Sequence, residues 1–384
     1  MNQRELGELR RRFRPEKSAI SRVYGCYVNS SREIIAYIDQ SLGLMPQEEA
    51  EKYLGLLKKA LSGTLGRNLI DIVFSTQQVD SEEHRLLSAL RTSELKDAEA
   101  RDAFYQQVTG SLDMGENNYL ILLGADAYDV PHRGKDGEVD RDACEEVFRY
   151  FVCCVCPVKD GTPELGYFHG ENEFHISMEK QIVGQPELGF LFPAFDDRTA
   201  NLYNALFYSR KPDELHQEFI DAVFRTEPPM SAAEQRETFQ SALCGTLEGA
   251  CSMEVVQSVH DYLRQRIQEH KESRDPEPLA VTAGEVSGVL RNCGVPEERV
   301  EAFQTACGQS FGEGALTPAN LIDAKHFAVK TADATIQVDP ERSYLVEARI
   351  IDGRRYLLVP VDESVEVNGL GVRIAAAKDG GETT

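Results

Sequence analysis

Apolar residues recur at two spacings along the chain, and the spacing switches from segment to segment. At helical spacing, Leu6, Leu9 and Phe13 form one stripe in residues 4–14, with Arg10, Arg11, Arg12 and Arg14 around it. After Pro46, the residues Ala50, Tyr53, Leu54, Leu57 and Leu61 share a second helical face. Glu48 and Glu49 come early in it and Lys58 and Lys59 late, the order the helix dipole favours. Further helices are predicted near 82–92 and 97–109, the latter carrying Ala100, Phe104 and Val108. Strand-like runs lie at 24–28 and 33–38, joined by Asn29-Ser30-Ser31-Arg32 as a hairpin, and at 69–74 and 119–123. A long apolar run, 148–158, ends at Pro157 and Asp160-Gly161, and 188–195 and 202–208 read as strands or as a strand and a short helix. Residues 24–210 are thus expected to form one mixed α/β domain with about five or six strands.

The period becomes helical over 213–270, with stripes of Phe239, Leu243 and Leu247 and of Val255, Val256, Val259 and Leu263. Gln268 to Leu279 holds six charges and two prolines, which marks a linker. A helical hairpin is expected at about 282–311. Strand runs at 335–338, 344–351, 354–361, 365–367 and 372–374 follow, punctuated by Asp352-Gly353 and Asn368-Gly369, the dipeptides of type I′ hairpin turns. The fold class expected is α+β. Its order is a basic N-terminal helix (1–23), a mixed α/β domain (24–210), a helical middle (211–270), a linker (271–279), a helical hairpin (280–325), a β-meander (326–374) and a frayed tail (375–384).

Charge changes this picture more than composition does. The chain has 384 residues with ordinary globular composition, and at roughly 100–200 residues per domain it has room for two or three domains. It carries 41 Lys+Arg against 64 Asp+Glu, net −23, which argues against a whole face that clamps nucleic acid or anionic lipid. Residues 1–22 depart from this: seven Lys/Arg against three Glu give +4 there and leave −27 on the rest. Such asymmetry marks either a nucleic-acid arm, using Arg10, Arg11, Arg12, Arg14 and Lys17, or a helix docked on an acidic body; the apolar stripe favours docking. No apolar h-region follows the charged N-terminus and no apolar run approaches a membrane span, so a cytoplasmic protein is expected. Nine cysteines without a signal peptide fit reduced thiols.

Candidate chemistry is sparse. Cys153-x-x-Cys156 lies inside an apolar strand, where Cys154 and Cys156 share one face and Cys153 the other. That placement reads as buried, inert thiol rather than a redox pair, which sits at a helix N-terminus; no metal or cofactor is expected. Gly308-Gln309-Ser310-Phe311-Gly312 matches G-x-S-x-G, but a helical pattern precedes it where a nucleophile elbow needs a strand. The best enzyme signal is acidic: Asp126 and Asp129 after the strand 119–123, and Asp196, Asp197 and Arg198 after 188–195. Were these to converge near Arg133 or Lys135, they would suit Mg²⁺-dependent hydrolysis; Asp is also common in turns, where it hydrogen-bonds its own backbone. Walker A, G-x-G-x-x-G, H-E-x-x-H and EF-hand patterns are absent.

Several stretches carry a resemblance that covers essentially the whole chain: ELRRRFRPEKSAISRVYGCYVN, SLGLMPQEEAEKYLGLLKKALSGTLGRNLIDI, GADAYDVPHRGKDGEV, PELGFLFPAFDDRTANLYNALFYSRKPDELHQEFIDAVFRTEPPM and IQVDPERSYLVEARIIDGRRYLLVPVDESVEVNG. They resemble an uncharacterised bacterial family of about this length, a domain-of-unknown-function family, and the resemblance implies no activity. In arrangement alone, the order of an α/β unit, helices and a strand-rich end is also similar to a family of nucleoid-associated proteins. The expected function is a non-catalytic interaction or regulatory protein with a protein partner. The alternatives are a nucleic-acid-binding protein using the basic arm and a metal-dependent hydrolase using the carboxylates.

Overall fold

The chain is seen in a computed structural model that describes residues 1–133, 139–161, 165–176, 181–312, 316–361 and 365–372, with the side chains of 132–133 and 139–146 left aside. It divides into two compact units: residues 1–237 with 273–279, and 238–272 with the described residues from 280 onward.

The first unit is built on strands β1 (Arg22–Val28), β2 (Ile34–Ser41), β3 (Leu69–Val73), β4 (Asn118–Arg133), β5 (Val139–Asp160), β6 (Leu165–Phe168), β7 (Glu173–Ile176), β8 (Gln181–Val183), β9 (Leu188–Phe192), β10 (Ala194–Asp196), β11 (Thr199–Asn201) and β12 (Asn204–Ser209). Its helices are α1 (Gln3–Arg10), α2 (Gln47–Lys59), the single turn α3 (Thr76–Val79), α4 (Glu82–Thr92), α5 (Ala98–Ser111) and α6 (Gln217–Phe224). One antiparallel sheet runs β2-β1-β4-β5-β9-β12-β3, with β8 paired to the end of β5. It has eight strands where about five or six were expected: the 202–208 run is a strand, β12, and the three-residue β8 is too short to stand out in the apolar pattern.

Alternation along the strands sends side chains to both faces, and both faces are apolar. Tyr119, Ile121, Leu123, Phe151, Cys153, Phe190 and Phe207 point to one, where α4, α5 and α6 cover them with Leu87, Leu90, Phe104, Val108, Phe219 and Phe224. Leu120, Leu122, Val152, Cys154, Cys156, Leu191 and Leu206 point to the other. There Leu6 and Leu9 of α1, Phe13 just beyond it and Leu54 and Leu57 of α2 close the layer. The expected division of the three strand cysteines between faces is the one observed. Burial pushes the Cys153 and Cys154 thiols well above their ordinary range.

β4 corrects one expectation. It continues from the apolar stretch as far as Arg133, because β5 pairs with it along the whole length, so Asp126 and Asp129 sit within a strand opposite Tyr150 and Val147 rather than in a turn. Asp136-Gly137 and Lys135 lie outside the described residues, as does the tail from 375.

The second unit holds the remainder of α7 (Ala232–Leu247), α8 (Met253–Ser273), α9 (Ala283–Asn292), α10 (Glu297–Phe311) and the short α11 (Pro318–Leu321). Its core is formed by Phe239, Leu243, Leu247, Val259, Leu263, Leu290, Val300 and Phe303. Gly308 and Ser310 lie in α10 and Gly312 caps it, so no strand precedes the G-x-S-x-G match. The strands that follow are β13 (Phe327–Lys330), β14 (Thr335–Val338), β15 (Glu347–Ile351), β16 (Arg354–Leu358), β17 (Val365–Val367) and β18 (Leu370–Val372). They pair two by two, β13 with β14, β15 with β16 and β17 with β18. Asp352-Gly353 and Asn368-Gly369 have positive φ at both positions, the geometry a type I′ turn needs. The class is α+β. Charge-rich Gln268 to Leu279 stays helical through Ser273, and beyond it Pro276 accepts from the Gln3 amide (2.8 Å).

Close approach of α2 to the sheet requires glycine in β9. A Cβ on Gly189 would lie 2.5 Å from the Cys153 carbonyl oxygen and 2.8 Å from Ala60 Cβ. Gly189→Ala is expected to lower stability by about 1–3 kcal/mol in a denaturant titration, since backbone must shift to admit the methyl. A variant as stable as the wild type would show that α2 does not pack this closely.

Candidate functional site

Three of the candidates at strand ends, Asp126, Asp196 and Arg198, meet partners from α1 and the residues that flank it, and from within that segment Arg10 and Arg12 of the five basic candidates also find partners. The helix begins at Asn2, whose side chain accepts from the Arg4 and Glu5 amides (3.1 Å each), while the Asn2 amide donates to Glu5 (2.8 Å). This capping box fixes the first turn and turns Glu5 inward, where it is buried. Leu6 and Leu9 follow on the buried face, which brings the flanking charges down onto β4, β10 and β11.

Arg12 forms a bidentate pair with Asp126, Nε to Oδ2 at 2.6 Å and Nη2 to Oδ1 at 3.0 Å. Tyr150, directly opposite on β5, donates its hydroxyl to the same carboxylate at 2.8 Å. The Asp126 side chain is fully enclosed, and this pairing is what makes a buried carboxylate tolerable. The Arg12 guanidinium also lies over the Tyr128 ring, 4.6 Å from its centre. Tyr128 in turn donates to Glu8, and Glu8 pairs with Arg198 Nη1 at 2.6 Å. Burial, then the Glu8 carboxylate, push the Tyr128 hydroxyl up to about 12, and burial followed by Asp126 holds that of Tyr150 well above its ordinary range.

Asp197 and Arg198 form the two-residue turn between β10 and β11, both with positive φ. Asp tolerates that conformation; Arg does not favour it. Arg198 is held there by Glu8, by the Pro131 carbonyl oxygen (Nη2, 2.8 Å) and by its own amide donating to Glu5 (3.3 Å). Asp196 accepts from Asn201 (2.7 Å) and pairs with the Met1 amino group (2.5 Å).

The candidates therefore separate into distinct roles. Asp126, Asp196 and Arg198 each meet a partner from the N-terminal segment, whereas Asp129 and Asp197 are exposed. Among the described residues, no three His, Cys, Asp or Glu side chains come close enough to hold a metal. Of the basic candidates, Arg10 donates to the carbonyls of Leu61 (2.5 Å) and Gly63 (3.3 Å), and Arg12 is paired as above. Arg11, Arg14 and Lys17 are exposed and form no ion pair with a described residue. The side chain of Arg133 is not described. Sequence reasoning missed Glu5, Glu8, Tyr128 and Tyr150. The Asn2-x-x-Glu5 box was a legible sign for the first; the others are recruited by strand pairing that no local pattern announces.

The arrangement defines an α+β protein whose antiparallel sheet is capped on one face by an ion-paired N-terminal helix. The family model described as a domain of unknown function (DUF4317) matches residues 1–370, and the chain belongs to that family. No curated protein and no solved structure matches it. Among the described residues no helix is long and apolar enough to cross a membrane.

Two predictions follow from the geometry. Arg12→Ala leaves the enclosed Asp126 carboxylate without its cation and is expected to cost about 3 kcal/mol. Adding Asp126→Leu to that variant should recover most of the loss, a non-additivity that a double-variant cycle in urea reads directly; an Arg12→Ala protein of wild-type stability would refute the pairing. Glu5 concerns pH. Burial raises its carboxyl above the ordinary 4.5, against the lowering effect of the Asn2 and Arg198 amides. The folded state therefore holds this proton more tightly than the unfolded chain. The stability it contributes is complete below 4.5 and is lost as pH rises through the higher folded value. Glu5→Gln keeps an acceptor for the Asn2 amide, so its stability relative to wild type should rise with pH over that window and then level. A difference that is flat or falls with pH would contradict the burial of Glu5.

Proposed function

We propose that the protein is a non-catalytic interaction protein of the cytoplasm whose partner is another protein. The observation that carries the reading is the β6–β7 hairpin. Its register places Leu165 opposite Ile176 and Tyr167 opposite Phe174, so four apolar side chains share one face of a two-stranded ribbon. Leu165, Phe174 and Ile176 are each more than 60% exposed. A ribbon of two strands is marginal in water without something to cover its apolar face. Glu171 and Glu173 at the tip add negative charge, which fits a protein surface with an apolar centre and a basic rim. The ion-paired cluster supports the same reading from the other side, because Asp126 and Arg198, the best enzymatic candidates, are engaged in holding α1.

A photo-reactive residue at Phe174 should crosslink the partner in cells, and the purified pair should then be compared by calorimetry. Leu165→Ser/Phe174→Ser is expected to weaken binding by at least about tenfold without changing the melting temperature. Unchanged affinity in that variant would overturn the proposal, as would a metal-dependent turnover lost in Asp126→Asn but kept in the hairpin variant. Nucleic acid is the other outcome to watch, since Arg11, Arg14 and Lys17 remain open. Three phosphate contacts give a log–log salt slope of only about −3 on duplex DNA, so no measurable duplex binding is expected at physiological ionic strength. Salt-dependent binding abolished by replacing those three with Ala would favour the nucleic-acid reading instead.

A further inference from the structure

Eight cysteines are described, and two pairs of them bring sulfurs to the same separation. Cys154 and Cys156 lie 3.9 Å apart inside the sheet, both fully buried. Cys244 and Cys251 are also 3.9 Å apart, but Cys244 is exposed and Cys251 half-buried. Cys244 is in the last turn of α7, and Cys251 stands just before α8. Between them the chain turns sharply, with Glu248 at positive φ and the Cys251 amide donating to the Glu248 carbonyl (3.2 Å). Arg299 of α10 clasps this turn from outside, Nη2 to Glu248 Oε2 at 2.7 Å and Nη1 to the Thr246 carbonyl at 3.4 Å. The sulfur proximity is thus held by the packing of three helices rather than by one loop's own conformation.

We propose that Cys244 and Cys251 are a thiol-oxidation site that closes reversibly to a disulfide in exchange with small disulfides of the glutathione class. The sulfurs must approach by about 1.9 Å to reach a bond length of ~2.05 Å, and exposed Cys244 has the space to rotate. Cys244, as thiolate, attacks one sulfur of glutathione disulfide; that S–S bond breaks and one glutathione thiolate leaves with the electron pair. The Cys251 thiolate then attacks the Cys244 sulfur of the mixed disulfide, the intramolecular bond forms, and the second glutathione leaves. The two protons given up by the cysteines end on the two glutathione thiolates, so two protein thiols are oxidised and one disulfide is reduced. Burial, and then the neighbouring Cys244, push the Cys251 thiol up to about 11, which suits a resolving thiol better than an attacking one. The closed form staples the end of α7 to the start of α8. Leu243 and Leu247 on one side and Val255 and Val259 on the other belong to the core of the second unit, so the bond restrains that core at its open corner.

The test incubates the full chain with glutathione redox buffers, followed by intact mass and peptide mapping. Wild type is expected to lose two reactive thiols and the mass of two hydrogen atoms, and to yield a peptide linking Cys244 to Cys251. Cys251→Ser should instead carry glutathione on Cys244, and Cys154→Ser should behave as wild type. Cys251→Ala, with its melting curve checked, separates loss of the resolving thiol from loss of the fold. Glutathione adducts with no linked peptide in wild type would overturn the proposal, as would the same loss of two hydrogens in both Cys251 variants.

Discussion

A sheet that is apolar on both faces cannot rest with either face in water, and the architecture of the first unit answers that constraint. β1, β4, β5, β9 and β12 each send large side chains both ways, so two helical layers are needed. One layer is supplied by α4, α5 and α6 from the body of the chain. The other is closed by α2, by Leu6 and Leu9 of α1 with Phe13 beyond it, and by Phe195 of β10, whose ring lies 4.6 Å from that of Phe148. At roughly 1.5–3 kcal/mol for each large apolar side chain removed from water, Leu6, Leu9 and Phe13 make docking of the N-terminal segment strongly favourable.

That docking dictates the chemistry around it. Residues 1–22 carry net +4 in a chain that is otherwise net −27, and docking brings some of these charges to the rim of a dry interface, where a buried charge needs a partner. Arg12 finds Asp126, Glu8 finds Arg198, and Tyr128 and Tyr150 fill the remaining acceptors. Of the residues that read as a carboxylate site or a nucleic-acid arm, Asp126, Asp196, Arg198 and Arg12 take part in the polar fastening of this apolar joint. Their net contribution to stability is smaller than the short distances suggest, since desolvation offsets much of the attraction in a buried pair.

Access decides the fate of the thiols in the same way that pairing decides the fate of the carboxylates. Cys154 and Cys156 have the sulfur spacing of Cys244 and Cys251, yet they lie in a layer where no oxidant reaches them and where the thiolate is strongly disfavoured. Proximity alone does not make a reactive pair.

The hydrophobic period by itself determined the class, the helix at α2, the alternation of Cys153 against Cys154 and Cys156, and the two hairpins at Asp352-Gly353 and Asn368-Gly369. Those features depend on side chains a few residues apart, and spacing of that range is written directly in the chain. The docking of residues 1–22 was legible in part, through the stripe of Leu6, Leu9 and Phe13. The extension of β4 to Arg133, the eighth strand and the cluster around Asp126 were not. Arg12 meets Asp126 across more than a hundred residues, Tyr150 reaches it only through the β4–β5 register, and Arg198 turns inward only because the β10–β11 turn has positive φ. Such contacts belong to the tertiary structure, because nothing in the local sequence distinguishes an aspartate in a turn from one that a distant arginine will bury.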